Sequence, residues 1–385
     1  MSHYEIAILG DASPEERTQL ETTLTGMLAA YDLKVGADVL LLDGGNVSTR
    51  NRHVAFAATC FRGKGHTDEQ VVADLVGSSA AVIPVISNNG SFETDVPDCL
   101  QATNGYRLDL AADPEMSRLA SALLECMGLL QRQRRVFVSY RRVEARAAAV
   151  QLHDELSASG FDVFLDTHDI SPGEQFQEAL WHRLCDSDVM IMLDTETYFE
   201  RKWTRQELGR ARATGIHILQ VVWPNHRRNA QTDLAETIYL EASELTAADG
   251  PIVEPTVKQI IAATENLRSR SVAARMMSIV GKLRVEAEAI GAQVGGIGAH
   301  RAVSIALPDG RRVFAYPVVG VPTADMLNDV ANKAQGSGQG SDALLVYDHL
   351  GIRPAWLEHL KWLDDNIHVV RAIRAREAAW ALAEF

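Results

Sequence analysis

The chain has 385 residues, 46% of them hydrophobic and 23% charged, which is ordinary globular composition. That length exceeds what one simple core serves, so two or three domains are expected. A formal net charge of -14 argues against sequence-independent nucleic-acid binding, which needs a basic footprint.

Cys60, Cys99, Cys126 and Cys185 are scattered, with no CxxC pairing and no zinc spacing, so no metal site is expected. They read as buried free thiols of a reducing, cytoplasmic compartment. The opening residues, MSHYEIAILGDASPEE, lack the basic-then-apolar pattern of a signal peptide. No apolar run approaches the roughly 20 residues of a membrane span.

The first segment, 1–130, alternates short apolar runs with helical stretches. YEIAILG, ADVLLLDGG and AAVIPVISNNG read as strands, and PEMSRLASALLECMGLL as an amphipathic helix. That order predicts a parallel α/β layer.

The second segment, 131–270, opens on the basic run QRQRR and repeats the pattern more cleanly. RVFVSY, FDVFLD, DVMIMLDT and HILQVVW read as strands. VEARAAAVQLHDELSASG, PGEQFQEALWHRLCDS and TRQELGRARATG read as helices. Two stretches of the first segment rhyme with it: Ala37–Asp43 with Phe161–Asp166, and Leu75–Ser87 with Leu184–Thr195. An internal duplication of one α/β unit is the inference.

The third segment, 271–385, starts with a long helical pattern, SVAARMMSIVGKLRVEAEAIG. RAVSIALPDGRRVFAYPVV reads as a hairpin around PDG, and QGSGQGS as a flexible loop. An α/β or α+β domain is expected, with a sensor or partner-binding role. GAQVGGIGAH is glycine-rich but fits neither GxGxxG nor GK[ST]. Trp356 and Trp362, with Leu360 and Leu363, read as one amphipathic helix.

One carboxylate stands out. In KWTRQELGRA, Glu207 follows Trp203 by four positions, which puts both side chains on one helix face. Alone, such an acid is equally a first-turn residue favoured by the helix dipole.

Its context resembles a Toll/interleukin-1 receptor (TIR) domain. RRVFVSYRR is similar to the family's first box, GFDVFLDTHDISPGEQF to the second with its BB loop, and YFERKWTRQEL to the Trp-x-x-x-Glu-Leu helix start. Thr204 stands where many members have Cys, Asp194-Thr195 where Ser is common, and the third box is not evident.

The resemblance implies a flavodoxin-like parallel sheet over 131–270 and an NAD glycohydrolase with Glu207 as its catalytic acid. NAD would be substrate, with no cofactor. Nicotinamide is already a cationic leaving group, so one carboxylate near an oxocarbenium-like ribose suffices. Trp203 would wall the pocket. Tyr140, Arg141 and Arg142 would take the pyrophosphate and adenine. Asp166 would order the BB loop (Thr167 to Glu174), His168 would be an exposed loop residue, and Thr195 would lie at the ribose or phosphate. Family context further implies homo-oligomerisation through TIR contacts, activation through the flanking domains, and antiviral defence. The products would be nicotinamide and linear or cyclic ADP-ribose. The Ala/Arg-rich style fits a bacterial source.

Two alternatives stay open: a TIR interaction scaffold without catalysis, and a nucleoside or nucleotide N-glycosidase. If the first segment is a duplicate, counting from the strand end at Ser87 places Cys99 opposite Glu207 and Asp95 opposite Trp203, with Pro97 disturbing the helix. The first segment is therefore expected to be a TIR-like or Rossmann-like domain without catalysis.

Overall fold

The computed structural model describes residues 3–130, 134–165, 176–200, 202–228, 232, 235–336 and 343–384; the side chains of residues 176–178, 202–203 and 336 lie outside that description. The chain forms two units. Met1–Leu130, Met276–Asp348 and Leu357–Phe385 make the first, and Gln131–Arg275 with His349–Trp356 the second. Among the described residues, no helix is long and apolar enough to cross a membrane.

In chain order the first segment gives β1 (Tyr4–Gly10), α1 (Pro14–Ala29), β2 (Val39–Leu42), β3 (Ala55–Phe61), α2 (Glu69–Gly77), β4 (Ala81–Ser87), α3 (Phe92–Asp95), β5 (Tyr106–Leu108) and α4 (Ser117–Cys126). The chemistry of α1's start is local. Ser13 accepts from the Glu16 amide, Glu16 reaches back to the Ser13 amide, and Pro14 opens the first turn. The second unit then contributes β6 (Arg135–Ser139), α5 (Arg142–Ala158), β7 (Asp162–Leu165), α6 (Phe176–Asp186), β8 (Val189–Asp194), α7 (Lys202–Ala213), β9 (His217–Val222) and β10 (Glu236–Tyr239). The 36-residue helix α8 (Glu254–Ala289) follows. After it come β11 (Gln293–Ile297), β12 (Val303–Ala306), β13 (Arg312–Val318), α9 (Ala324–Gly336), β14 (Ala343–Tyr347), α10 (Pro354–Asn366), β15 (Val370–Arg374) and α11 (Ala378–Ala383).

The second unit's sheet has the order β10-β9-β8-β6-β7, parallel throughout. Read from the other edge, that is the flavodoxin-like order, with a topological switch point between β6 and β8. The first unit contains the same arrangement, since β2-β1-β3-β4-β5 is also parallel throughout. The inferred duplication therefore has a counterpart in strand order.

The strand order corrects one detail of the sequence matching. It pairs β3, not β4, with β8, so the counterpart of α7 is α2 and not the residues after Ser87. Both β3 and β4 are continuous apolar runs buried on both faces, and apolar runs carry no label of their place in a sheet. The buried residues of α2 are Val72 and Leu75, with neither Trp nor Glu. Just before α2, Asp68 accepts the Gly10 amide at 2.9 Å, bridging to the end of β1.

The three-segment division also changes. The crossings fall close to 130 and 270, but the third segment extends the first segment's sheet. Its order runs β15-β14-β13-β12-β11-β4-β3-β1-β2, with β5 also on β4. The join rests on a single register pair, Ile297 with Ala81. The expected PDG hairpin is present as antiparallel β12 and β13, closed by the Leu307 amide on Arg311 O and Gly310 at φ 87°. The QGSGQGS loop lies outside the described residues, apart from its first two backbone positions, which end α9.

Two buried charge clusters hold the units. In the second, Arg134 and Arg135 of the basic run are buried. Arg134 meets Glu265 at 2.7 Å, Arg268 meets Asp188 at 3.1 Å and Glu265 at 3.4 Å, and Arg135 meets Asp186 at 2.5 Å. Phe161 lies under the Arg134 guanidinium at 4.2 Å.

In the first unit, Glu125 of α4 is buried between His300 Nδ1 at 2.9 Å and Lys333 Nζ. Burial alone would raise its carboxyl, but these cations outweigh it and hold the group down to about 2. His300 and Arg301 both take left-handed backbone, at φ 58° and 60°.

Glu265→Ala strands Arg134 and Arg268 without that carboxylate and should cost about 3–5 kcal/mol, read from urea unfolding. A carboxyl lowered by folding adds stability above its unfolded value and loses it as pH falls through the folded one. Glu125→Gln should therefore cost roughly 3 kcal/mol at pH 7. Its difference from wild type should shrink as pH falls from the ordinary carboxylate range toward the folded value of about 2.

Candidate functional site

The rows of side chains on the second sheet turn polar at its carboxyl end. Successive strand residues alternate faces. Val136 and Val138 of β6, and Val189, Ile191 and Leu193 of β8, pack in the core shared with α5 and α8. Phe137 of β6, Met190 and Met192 of β8 and Ile218 of β9 pack against α6 and α7. On this second face the rows continue into Ser139, Asp194 and Gln220. All three are buried, at 0% exposure.

Helix α7 presents Thr204, Glu207, Leu208 and Ala211 inward, the i, i+3, i+4, i+7 pattern of one buried face. Glu207 is 2% exposed. Its Oε2 accepts the Ser139 hydroxyl at 2.6 Å. Ser139 Oγ is also 2.6 Å from the hydroxyl of Tyr198, which sits on a one-turn 3-10 helix, Tyr198–Glu200. Thr204 donates to Tyr198 O at 2.7 Å, tying α7's first turn to that segment.

Beside them, Asp194 Oδ2 accepts Gln220 Nε2 at 2.6 Å, and Oδ1 lies 3.2 Å from His226 Nε2. Burial pushes the Asp194 carboxyl up, and Gln220 and His226 only partly oppose it.

The structure distributes the expected site residues as follows. Glu207 lies at the carboxyl end of the sheet. Trp203 occupies the first turn of α7, but its side chain is outside the description. Asp166, His168 and the BB loop also lie outside the described residues.

Tyr140 is not brought to Glu207. It is 5% exposed and belongs to the opposite core, with Val136 and Val138, because strand parity sends it to the α5 side. Arg142 is exposed at the start of α5.

Arg141 is already engaged. It donates to Thr197 O at 2.7 Å and meets Glu200 at 3.2 Å. Thr195 is buried one residue past Asp194, on the side of Glu144. Glu144 takes the Thr197 hydroxyl and its amide. Burial raises the Glu144 carboxyl, but the hydrogen bonds from the Thr197 hydroxyl and amide and the nearby Arg141 together hold it below the ordinary range.

Arg141 and Glu144 thus clasp the segment between β8 and α7 instead of facing an open phosphate site. Trp223 follows β9 and donates its indole N–H to Ala248 O at 2.9 Å, as part of the core. Among the described residues, no cluster of His, Cys, Asp or Glu has the arrangement of a metal site.

Ser139, Tyr198, Asp194, Gln220 and His226 are absent from the sequence-based list. For three of them the signal is present: extending the alternation from Phe137, Met192 and Ile218 by two residues reaches Ser139, Asp194 and Gln220. Tyr198 and His226 sit in loops, where alternation gives no guide.

Residues 136–249 match the family model described as TIR domain. No curated protein matches the chain. Among solved structures, the chain is similar to tagatose-6-phosphate ketose/aldose isomerase from Escherichia coli at 13% identity, covering 71% of this chain and 83% of that one with a TM-score of 0.21. A Clostridium novyi NT protein assigned to the same isomerase gives 9% identity, 72% and 80% coverage and a TM-score of 0.20. Overlays this loose carry no argument about fold or activity.

Arg141→Ala should release the segment between β8 and α7. Amide hydrogen exchange across residues 195–200 should speed roughly tenfold, while exchange in β6 stays as in wild type.

Proposed function

We propose that this chain, whose residues 136–249 form a TIR domain, cleaves the nicotinamide–ribose bond of NAD with Glu207 as the reacting acid. The observation that carries the reading is a glutamate buried at the carboxyl end of a parallel sheet, hydrogen-bonded to the end of β6 beside the topological switch point. Open α/β sheets place their ligands there. A carboxylate held in a low-dielectric setting is worth more against a developing ribosyl cation than one in water.

The bond to nicotinamide breaks with its electron pair going to the pyridinium ring, which leaves neutral. Glu207 stabilises the oxocarbenium-like ribose or captures its anomeric carbon. Water then yields ADP-ribose, and a hydroxyl or ring nitrogen of the same molecule yields a cyclic product. No metal or bound cofactor is needed.

In this reading Trp203 walls the nicotinamide end and Asp166 orders the BB loop. Arg142, exposed at the start of α5, is the nearer candidate for the pyrophosphate, since Arg141 is engaged. Assembly through TIR–TIR contacts would complete the site, the first unit would gate it, and an antiviral NAD-depleting role fits that design.

A second reading is favoured by one observation. Glu207 is 2% exposed, and the segment beside it is clasped by Arg141 and Glu144. An acid so enclosed also suits a non-catalytic TIR scaffold that uses Glu207 to hold α7 on β6.

Nicotinamide release separates the two. Glu207→Gln keeps the size and an oxygen that can accept from Ser139. It should lower release by at least roughly a hundredfold with the unfolding midpoint close to wild type. Release that persists in the variant would sink the assignment of Glu207.

A further inference from the structure

We infer that Ser139 and Tyr198 are positioning residues that hold and orient the Glu207 carboxylate. The kinetic consequence rests on the NAD-cleaving reading; the chemical one rests on geometry. Ser139 has a single hydroxyl proton, and it is directed to Glu207 Oε2 at 2.6 Å. Tyr198 OH, 2.6 Å from Ser139 Oγ, therefore donates into the Ser139 oxygen. Two hydrogen bonds in series point at one carboxylate oxygen, and each polarises the next.

The chain joins three places: the end of β6, the 3-10 turn after β8, and α7. Thr204 adds a third tie by holding Tyr198 O at 2.7 Å from the first turn of α7. One oxygen of a carboxylate on a long, flexible side chain is thereby held in place.

Packing alone does not require this arrangement. The row that Ser139 continues is Phe137 in the α6/α7 core, and Tyr198 belongs to that core. An alanine and a phenylalanine would continue it without hydroxyls. Burying two hydroxyls and a carboxylate costs free energy unless they serve one another. Here they do, and the group they serve is the acid.

In this series of hydrogen bonds Tyr198 reaches Glu207 through Ser139. That ordering gives the assignment a signature which loss of structure lacks. Ser139→Ala should lower kcat for nicotinamide release roughly ten- to hundredfold, with KM for NAD within about threefold of wild type. Tyr198→Phe, which removes only an oxygen, should lower kcat roughly three- to tenfold. The double variant should be no slower than Ser139→Ala alone. Additive losses in the double variant, or wild-type kcat in both single variants while Glu207→Gln is inactive, would overturn the assignment.

Infrared difference spectroscopy needs no turnover. The carboxylate band lost in Glu207→Gln should shift in Ser139→Ala and in Tyr198→Phe. An unmoved band overturns the assignment, whereas a shifted band in a protein that leaves NAD intact upholds it and discards the NAD reading instead. Should Ser139→Ala fail to fold, Tyr198→Phe carries both arms.

Discussion

A parallel strand covered by helices on both faces has little room for a polar side chain except near its ends. The second unit follows that constraint closely. Phe137, Met190, Met192 and Ile218 fill the α6/α7 core, and the next residue in each row is Ser139, Asp194 or Gln220. The polar layer exists because the apolar rows stop: β6 and β9 turn polar at Ser139 and Gln220, which flank Met192 in register, and β8 turns polar one step later at Asp194. Glu207 enters this layer from α7 and finds a hydroxyl already in place.

Charge is handled differently at the other end of the same sheet. There Arg134, Arg135 and Arg268 are matched by Asp186, Asp188 and Glu265 near the amino ends of β6 and β8. Losing one member of such a cluster is strongly destabilising, though the intact cluster contributes little over a well-packed apolar core. The two ends of the sheet thus divide the work. Ion pairs at one end fix strands and helices; hydrogen-bonded polar groups at the other present a carboxylate.

How legible this was in the sequence depends on which physical signal each residue leaves. Strand and helix order in 131–270 followed from alternation and length, whereas the acid of KWTRQELGRA stood out only through the TIR-like motifs around it, since its spacing to Trp203 alone fits an ordinary first-turn residue. Tyr140 was misleading because a Tyr beside two arginines suggests a ligand contact, whereas its parity sends it to the opposite core. Arg141 had the charge for a phosphate, but Thr197 and Glu200 compete for it from a loop that no periodicity places near β6. The joining of the two terminal segments was out of reach. One register pair between Ala81 and Ile297, more than two hundred positions apart, leaves no local trace.

That long separation bears on how the protein is made. As the chain leaves the ribosome, β1 to β5 appear first, then β6 to β10, and only afterwards β11 to β15. All five strands of the TIR sheet lie between residues 135 and 239, so that sheet can form while the first unit still lacks half of its strands. Domains tend to fold in the order they emerge, and long-range pairings come late. An unfinished product stalled near residue 290 would carry every strand and helix of the TIR domain beside half a sheet.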